Sequence, residues 1–334
     1  MNVTRMFDGS MSMTFYTVNY PANVSLKTFY FKHETVKNTR VTLALANSPS
    51  STLVHISESH NSHKCGRNFV PNKDGSLDRS NTVGIIGGVS VDSTLDFLKK
   101  LVEWGSKEGK ECPPFTLCSD PKLGDDLLNY ELASFPSLYT RKRPCNVDHS
   151  TILENLRRKK AFLEQGGARC LVMPCHLLHM WHADVSDGCD VPILHMAECV
   201  ARELKEAKLR PLEAGCSSRI GLVATDAILK SGYYQKKLQN EGFEVVLPDK
   251  ATMEHTVIPA IEALDRTDIE GARNLLRIAL QVLLVRAVNV VIIASHEMCE
   301  LLPQDDPLRK KCVNPIDALV RSTIKWYRSV EQSS

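Results

Sequence analysis

The stretches "GARCLVMPCHLLHM" (167–180) and "AVNVVIIASHEMCE" (287–300) share one pattern. Each carries a mostly apolar run, "RCLVMP" (169–174) or "NVVIIAS" (289–295), too short for a typical helix. Such a run reads as a strand buried on both faces, as a parallel sheet requires. Each run ends on a side chain with proton chemistry followed by a histidine: Cys175–His176 in the first, Ser295–His296 in the second. Ligands of open α/β sheets bind beyond the strand C-termini, so a unit that occurs twice predicts two reactive side chains at such ends.

The duplication extends outward from these stretches. "TVGIIGG" (82–88) matches "SRIGLVA" (218–224) through Gly84 and Gly221, and "VPIL" (191–194) mirrors "NPID" (314–317). "PFTLCSD" (114–120) and "FEVVLP" (243–248) read as further strands. Helical spacing marks "LDFLKKLVEWGSKEG" (95–109), with Leu95, Leu98, Leu101 and Val102 on one face. "TILENLRRKKAFLEQGGA" (151–168) and "IEGARNLLRIALQVLLVRAV" (269–288) are also helical, the first ending at a Gly pair suited to a C-cap. Residues 121–150 read as a long loop, and 218–242 as strand, turn and helix. Alternating strands and helices predict an α/β fold of two similar domains with parallel sheets, related by pseudo-twofold symmetry around an active cleft. The expected domains are 81–198 and 199–315, with a helix over 316–330 packing back on the first.

Residues 1–80 differ: they hold nineteen Ser or Thr, nine Lys or Arg and five Asp or Glu. Ser/Thr-rich, basic and acid-poor is the composition of an organelle transit peptide, here a plastid (chloroplast) one, or of a disordered extension on a cytoplasmic protein. The 334-residue chain has a formal net charge of +2, too balanced to argue for nucleic acid or an anionic membrane as partner. No apolar stretch is long enough for a bilayer, since the best, 279–294, is broken by Gln281, Arg286 and Asn289. Eleven irregularly spaced cysteines, some inside apolar-periodic segments, read mostly as buried free thiols in a reducing compartment.

Cys175, His176, His179, His182, Cys189 and His195 also admit a zinc reading, but no Cys-x-x-Cys pair supports it and no metal is expected. "GGVS" (87–90) lacks both phosphate-loop patterns, so the Gly pair points to a close backbone approach or a tight turn. The basic loop "YTRKRP" (139–144) offers Arg141 or Arg143 to an anion, or is plain surface.

Four segments in order carry a resemblance to the aspartate/glutamate racemase family, over residues 82 to about 320. "GIIGGVSVDST" resembles the family's opening strand and Gly-Gly-Met loop. "VMPCHLLH" resembles its Met-Pro-Cys-Asn-Thr-x-His signature. "GLVATDAILKSGYY" resembles the start of its second half, and "IIASHE" stands where the family has Gly-Cys-Thr-Glu. The resemblance implies proton removal from a substrate α-carbon by one thiolate and return to the other face by a second thiol. It implies no pyridoxal or other cofactor, a small amino or carboxylic acid as partner, and a homodimer. Cleft helix N-termini would lower the thiol pKa.

Cys175 matches the first family cysteine, and Ser295 replaces the second. His176 and Leu177 stand where the family has Asn-Thr, His296 where it has Thr, and Asp126 where it has a carboxylate-binding Arg. These changes argue against aspartate as substrate. Ser119, Thr225, Ser231, Gly232, Tyr234 and Glu297 are retained, and Arg219 stands where one branch has Lys. The expected site has Cys175, Ser295 and His296 handling protons, with Gly88, Ser90, Ser119, His176, Thr225 and Glu297 around the substrate. Three readings remain: an amino-acid racemase or epimerase; a Cys175-dependent isomerase, decarboxylase or lyase on a small carboxylic acid; and a non-catalytic small-acid-binding protein.

Overall fold

A computed structural model describes residues 81–107, 110–134, 149–209 and 217–332 in full. Before them it describes only the strand backbones Val3–Asp8, Met11–Val18, Leu26–Lys32, Thr39–Leu45 and Thr52–Ile56. The expectations for the transit segment (1–80) and for the basic loop 139–144 lie outside the fully described residues.

The first half runs β1 (Thr82–Ile86), α1 (Val91–Gly105), β2 (Phe115–Ser119), α2 (Pro121–Ser134), α3 (His149–Gln165) and β3 (Ala168–Val172). A 3₁₀ turn (Leu177–Trp181) leads into the short α4 (His182–Ser186), and α5 (Met196–Glu206) follows. The second half runs β4 (Arg219–Ala224), α6 (Asp226–Ser231), α7 (Tyr233–Asn240), β5 (Glu244–Val246) and α8 (Lys250–Thr252). A π-turn (Met253–Val257), α9 (Ile258–Asp265), α10 (Ile269–Val285), β6 (Val290–Ala294), α11 (His296–Glu300), β7 (Cys312–Val313) and α12 (Pro315–Glu331) complete it.

Both sheets are parallel where the halves correspond. β1 lies between β2 and β3, and β4 lies between β5 and β6, with β7 outside β6. The duplication reaches individual side chains. Gly84 pairs with Leu171, and Gly221 with Val291, the aligned residue of the other half. A Cβ on Gly84 would lie under 3.0 Å from Leu171 Cδ2, and one on Gly221 would lie 3.0 Å from Val291 Cγ2. In both halves the glycine therefore makes room for the aliphatic residue beside it. Outside β3, Leu171 bridges to Ile193; outside β6, Ile292 pairs with Val313.

The helices after these outer pairs are exchanged. α5, capped by His195, packs on α7 of the second half. α12, capped by Asn314, packs on α1 of the first half. α5 and α12 also pack on each other, with Arg321 forked onto Glu203 at 2.9 and 2.6 Å and Lys325 2.8 Å from Glu206. One buried apolar cluster runs from the first sheet through α5 and α12 to one face of the second sheet. A second cluster joins the other face, at Val223, Val291 and Ile293, to α10 through Leu276, Leu280 and Leu283. No helix among the described residues is long and apolar enough to cross a membrane. All eight cysteines among the described residues are free.

Several local expectations are corrected. The buried face of α1 is Phe97, Leu98 and Leu101, while Leu95 is 38% exposed, because the face turned toward α12 is rotated from the one assigned. Residues 121–150 are not all loop: α2 starts with Pro121 in its first turn, after Asp120 accepts from the Lys122 N–H at 3.0 Å. The single helix expected after β4 is two, broken at Gly232, whose φ of +69° ends α6.

Candidate active site

The C-terminal ends of β3 and β6, the two stretches that define the duplication, open on one cavity between the halves. Its volume is about 450 Å³, and its walls include Cys175 and His176 from the first half and Ser295 and His296 from the second. Ser90, Thr225 and Glu297 also line it. Gly88 and Ser119 do not. Gly88 lies behind Cys175, where a Cβ would stand under 3.0 Å from both Cβ and Sγ of that residue. Ser119 packs beside Gly87, whose added Cβ would lie 3.3 Å from Ser119 Oγ. Both support the strand ends from the far side. Asp126 is likewise absent from the cavity wall.

Cys175 is 6% exposed, and its thiol is pushed up to about 11. Burial is the main cause and the charge of Glu131 adds to it, against backbone hydrogen bonds at Val89, Leu178 and Leu177 that favour the thiolate. This corrects the expected depression of the thiol pKa: a 3₁₀ turn follows Cys175, and its N–H groups are outweighed by the loss of water. The neighbouring α1 is tied to the same strand end by Ser93 Oγ, which donates to Pro174 O at 2.9 Å. Ser90 caps α1, its hydroxyl accepting from the Ser93 N–H at 3.2 Å.

His176 is held across the halves by α7. Tyr233 Oη donates to the His176 carbonyl at 2.8 Å, and Tyr234 Oη lies 3.1 Å from His176 Nδ1. Burial lowers the imidazole to about 4, against the opposing pull of Glu297, so it is neutral near pH 7. His176 Nε2 is buried without a hydrogen-bond partner among the described residues.

From the second half, Ser295 caps α11, accepting from the Met298 N–H at 3.3 Å, and its hydroxyl donates to Glu297 Oε2 at 3.1 Å. Glu297, not His296, is thus the side chain that engages Ser295. His296 Nδ1 faces Asp96 Oδ2 at 3.9 Å, beyond hydrogen-bond reach. Asp96, His296 and Glu300 bring ligand-type atoms within 4.8 Å of one another, but Lys100 Nζ already lies 2.7 Å from Asp96 Oδ2. The residues of the zinc reading do not converge in this way among the described residues. His179 and His182 turn inward instead, each with Nε2 on a backbone carbonyl, Met173 O at 3.0 Å and Ile193 O at 2.8 Å.

Sequence reasoning missed two parts of the wall. α2 contributes Leu128, Glu131 and Leu132; the segment ending α9 contributes Ile261, Glu262, Leu264, Asp265 and Arg266. Burial raises the Glu131 carboxyl, with Glu297 and Asp265 adding repulsion. Thr225 Oγ1 has no hydrogen bond of ordinary geometry among the described residues, yet it is close enough to Glu131 to oppose that rise. The leucine spacing of "PKLGDDLLNYELAS" (121–134) after an initial Pro was the available signal for α2.

Comparison with known proteins agrees with this architecture. An aspartate racemase homologue from Pyrococcus horikoshii OT3 has a similar fold, with a TM-score of 0.56 at 19% identity over 74% of this chain and 99% of that one. The aspartate racemase of Picrophilus torridus gives a TM-score of 0.54 at 21% identity over 74% of this chain and 94% of that one. In sequence, the broad specificity amino-acid racemase RacX of Bacillus subtilis (strain 168) is 23% identical over 167 residues, half of this chain and 64% of that protein. An uncharacterized protein in the pnlA 3' region of Pectobacterium carotovorum is 28% identical over 150 residues, 44% of this chain and 93% of that one. The family profile described as Asp/Glu/Hydantoin racemase matches residues 86–323. The chain belongs to the Asp/Glu/hydantoin racemase family.

Proposed function

We propose that the protein is an amino-acid racemase or epimerase that moves the α-proton of a small amino acid. The observation that carries this reading is that the duplicated strand ends bring Cys175 and Ser295 to a single cavity, one from each half. A thiolate at Cys175 removes the α-proton from one face. Ser295 delivers its hydroxyl proton to the other face and takes one back from solvent along its hydrogen bond to Glu297. The cycle then leaves a Cys175 thiol and an unchanged Ser295 hydroxyl, and the thiol returns its proton to solvent before the next turnover. Glu297 takes the place of the missing second thiol by relaying that proton, because a serine alone does not ionise near neutral pH. The N-terminus of α1 at Ser90, with Ser93, faces the α-carboxylate.

The buried, protonated state of Cys175 favours a second reading, a binding protein on the racemase scaffold. Incubation in deuterated water with a panel of L- and D-amino acids separates the two. Deuterium entry at the α-carbon with inversion supports the racemase, while binding with no exchange leaves only the scaffold. The organelle address read from residues 1–80 belongs to the same proposal, and a reporter fused to those residues that stays in the cytoplasm refutes it.

A further inference from the structure

The cavity wall has a charge pattern that its chemistry at Cys175 does not use. Glu131, Glu262, Asp265 and Glu297 line it, against one guanidinium, Arg266, among the described residues. The carboxylates feel each other: Asp265 is raised by burial and then by Glu262 and Glu297, and Glu131 by burial and then by Glu297 and Asp265. No three of them bring oxygens within 4.8 Å of one another, so they do not form a cage for a metal ion. Between them the wall is aliphatic, from Leu128 and Leu132 of α2 to Ile261 and Leu264 of α9. Leu128 and Leu132 are 43% and 40% exposed, apolar surface that a bound stem would cover. Independently, His176, 6% exposed, lines this cavity, and its buried Nε2 has no hydrogen-bond partner among the described residues.

We propose that the ligand of this cavity is an amino acid whose long aliphatic side chain ends in a cation, the lysine, ornithine and arginine class. The geometry supports a stem lying along Leu128, Leu132, Ile261 and Leu264. The terminal cation reaches Glu262 and Asp265 at the mouth, and the α-carbon stays between Cys175 and Ser295. A cation there relieves carboxylate repulsion, whereas an aspartate or glutamate side chain adds to it. The volume of about 450 Å³ is in the range of small-molecule sites and exceeds the needs of an alanine-sized ligand.

The inference rests on the proposed α-carbon chemistry for its catalytic half, and the test keeps the two apart. Affinity is measured by calorimetry for L- and D-lysine, L-arginine, norleucine and L-glutamate, alongside deuterium exchange on the same panel. Lysine or arginine is expected to bind at least about tenfold tighter than norleucine, which has a similar stem and no charge, with glutamate weakest. Asp265→Asn with Glu262→Gln is expected to bring lysine and norleucine affinities to within about threefold of each other. Norleucine or glutamate binding as well as lysine overturns the substrate class, even if exchange proceeds. Selective lysine binding without exchange upholds the class and removes the racemase chemistry. Absence of both binding and exchange for the whole panel overturns both.

Discussion

Gly88 stands directly behind Cys175, with no room for a methyl group between its α-carbon and the thiol. Gly88→Ala must push the Cys175 side chain or its strand end aside. The expected cost is about 1–3 kcal/mol of stability, the range for overpacking a tight site. Misplacement of the reacting sulfur by even an ångström lowers α-proton exchange by ~10²-fold. Urea denaturation and exchange rates on the purified variant check both. Wild-type exchange in Gly88→Ala would separate the thiol from the chemistry.

The Cys175 thiol at about 11 predicts a pH profile. The reactive form is the thiolate, about one molecule in 10⁴ at pH 7, so exchange should climb about tenfold per pH unit between pH 7 and 10. Glu131→Gln removes a negative neighbour that raises the thiol, and the rising limb should move to lower pH by up to about one unit. A flat profile over this range excludes Cys175 as the ionising group.

Ser295→Cys places a second thiol in the cavity with Cys175 and should increase exchange with inversion, with Glu297 no longer needed as proton relay. Glu297→Gln in the otherwise unchanged protein should lower exchange while leaving the fold intact, since Glu297 is exposed and Ser295 still caps α11 through Met298. If the Glu297→Gln variant exchanges as fast as the parent, the serine–carboxylate relay is wrong.

Four histidines of the 176–195 segment, His176 at the cavity among them, are stored neutral. Burial lowers His176 to about 4 and His195 to about 3, brings His182 down, and places His179 well below its ordinary range. In the unfolded chain each titrates near 6.5, so unfolding takes up protons below that pH. Stability is therefore full above about pH 6.5 and declines as pH falls toward the folded values, by about 1.4 kcal/mol per proton per pH unit. His176 and His195 alone account for an uptake of about two protons near pH 5. Urea midpoints at pH 7, 6 and 5 measure it; equal midpoints would contradict the stored-neutral state.

Lys159 Nζ and Asp120 Oδ2 form a buried pair at 2.6 Å beneath α2. Burial alone would raise the Asp120 carboxyl, but Lys159, Asn155 and the Lys122 N–H together hold it below the usual range. Lys159→Met strands that charge and should cost ~3–5 kcal/mol, while adding Asp120→Asn should recover most of the loss. Additive losses in the double variant would mean that the pair is not coupled.

The strands of this protein were legible because parallel strands buried on both faces leave short apolar runs, as Cys170–Val172 of β3 and most of β6 do. The duplication was legible because Gly84 and Gly221 serve the same packing need. The helical parts of the cavity were harder to see. Pro259 reads as a stop, yet the π-turn Met253–Val257 puts it in the first turn of α9, where its missing N–H costs least. The acidic mouth at Glu262 and Asp265 was hidden with that helix. Glu131 was hidden because α2 has a weak apolar face, with only Leu123 and Leu127 buried. Cys175 and Ser295 were readable from alignment of the halves, but the bond from Ser295 to Glu297 depends on side-chain direction, which spacing does not encode.

The exchange of α5 and α12 constrains how the cavity can admit a ligand. Each half is clasped by the terminal helix of the other, so the halves cannot swing apart like two leaves on a hinge without unclasping Arg321 from Glu203 and Lys325 from Glu206. Small sliding of α5 along α12, a shear that preserves their packing, keeps both pairs in place. Access to Cys175 is thereby coupled to a helix pair that lines none of the cavity. A crosslink between those two helices would act as a remote brake on ligand entry.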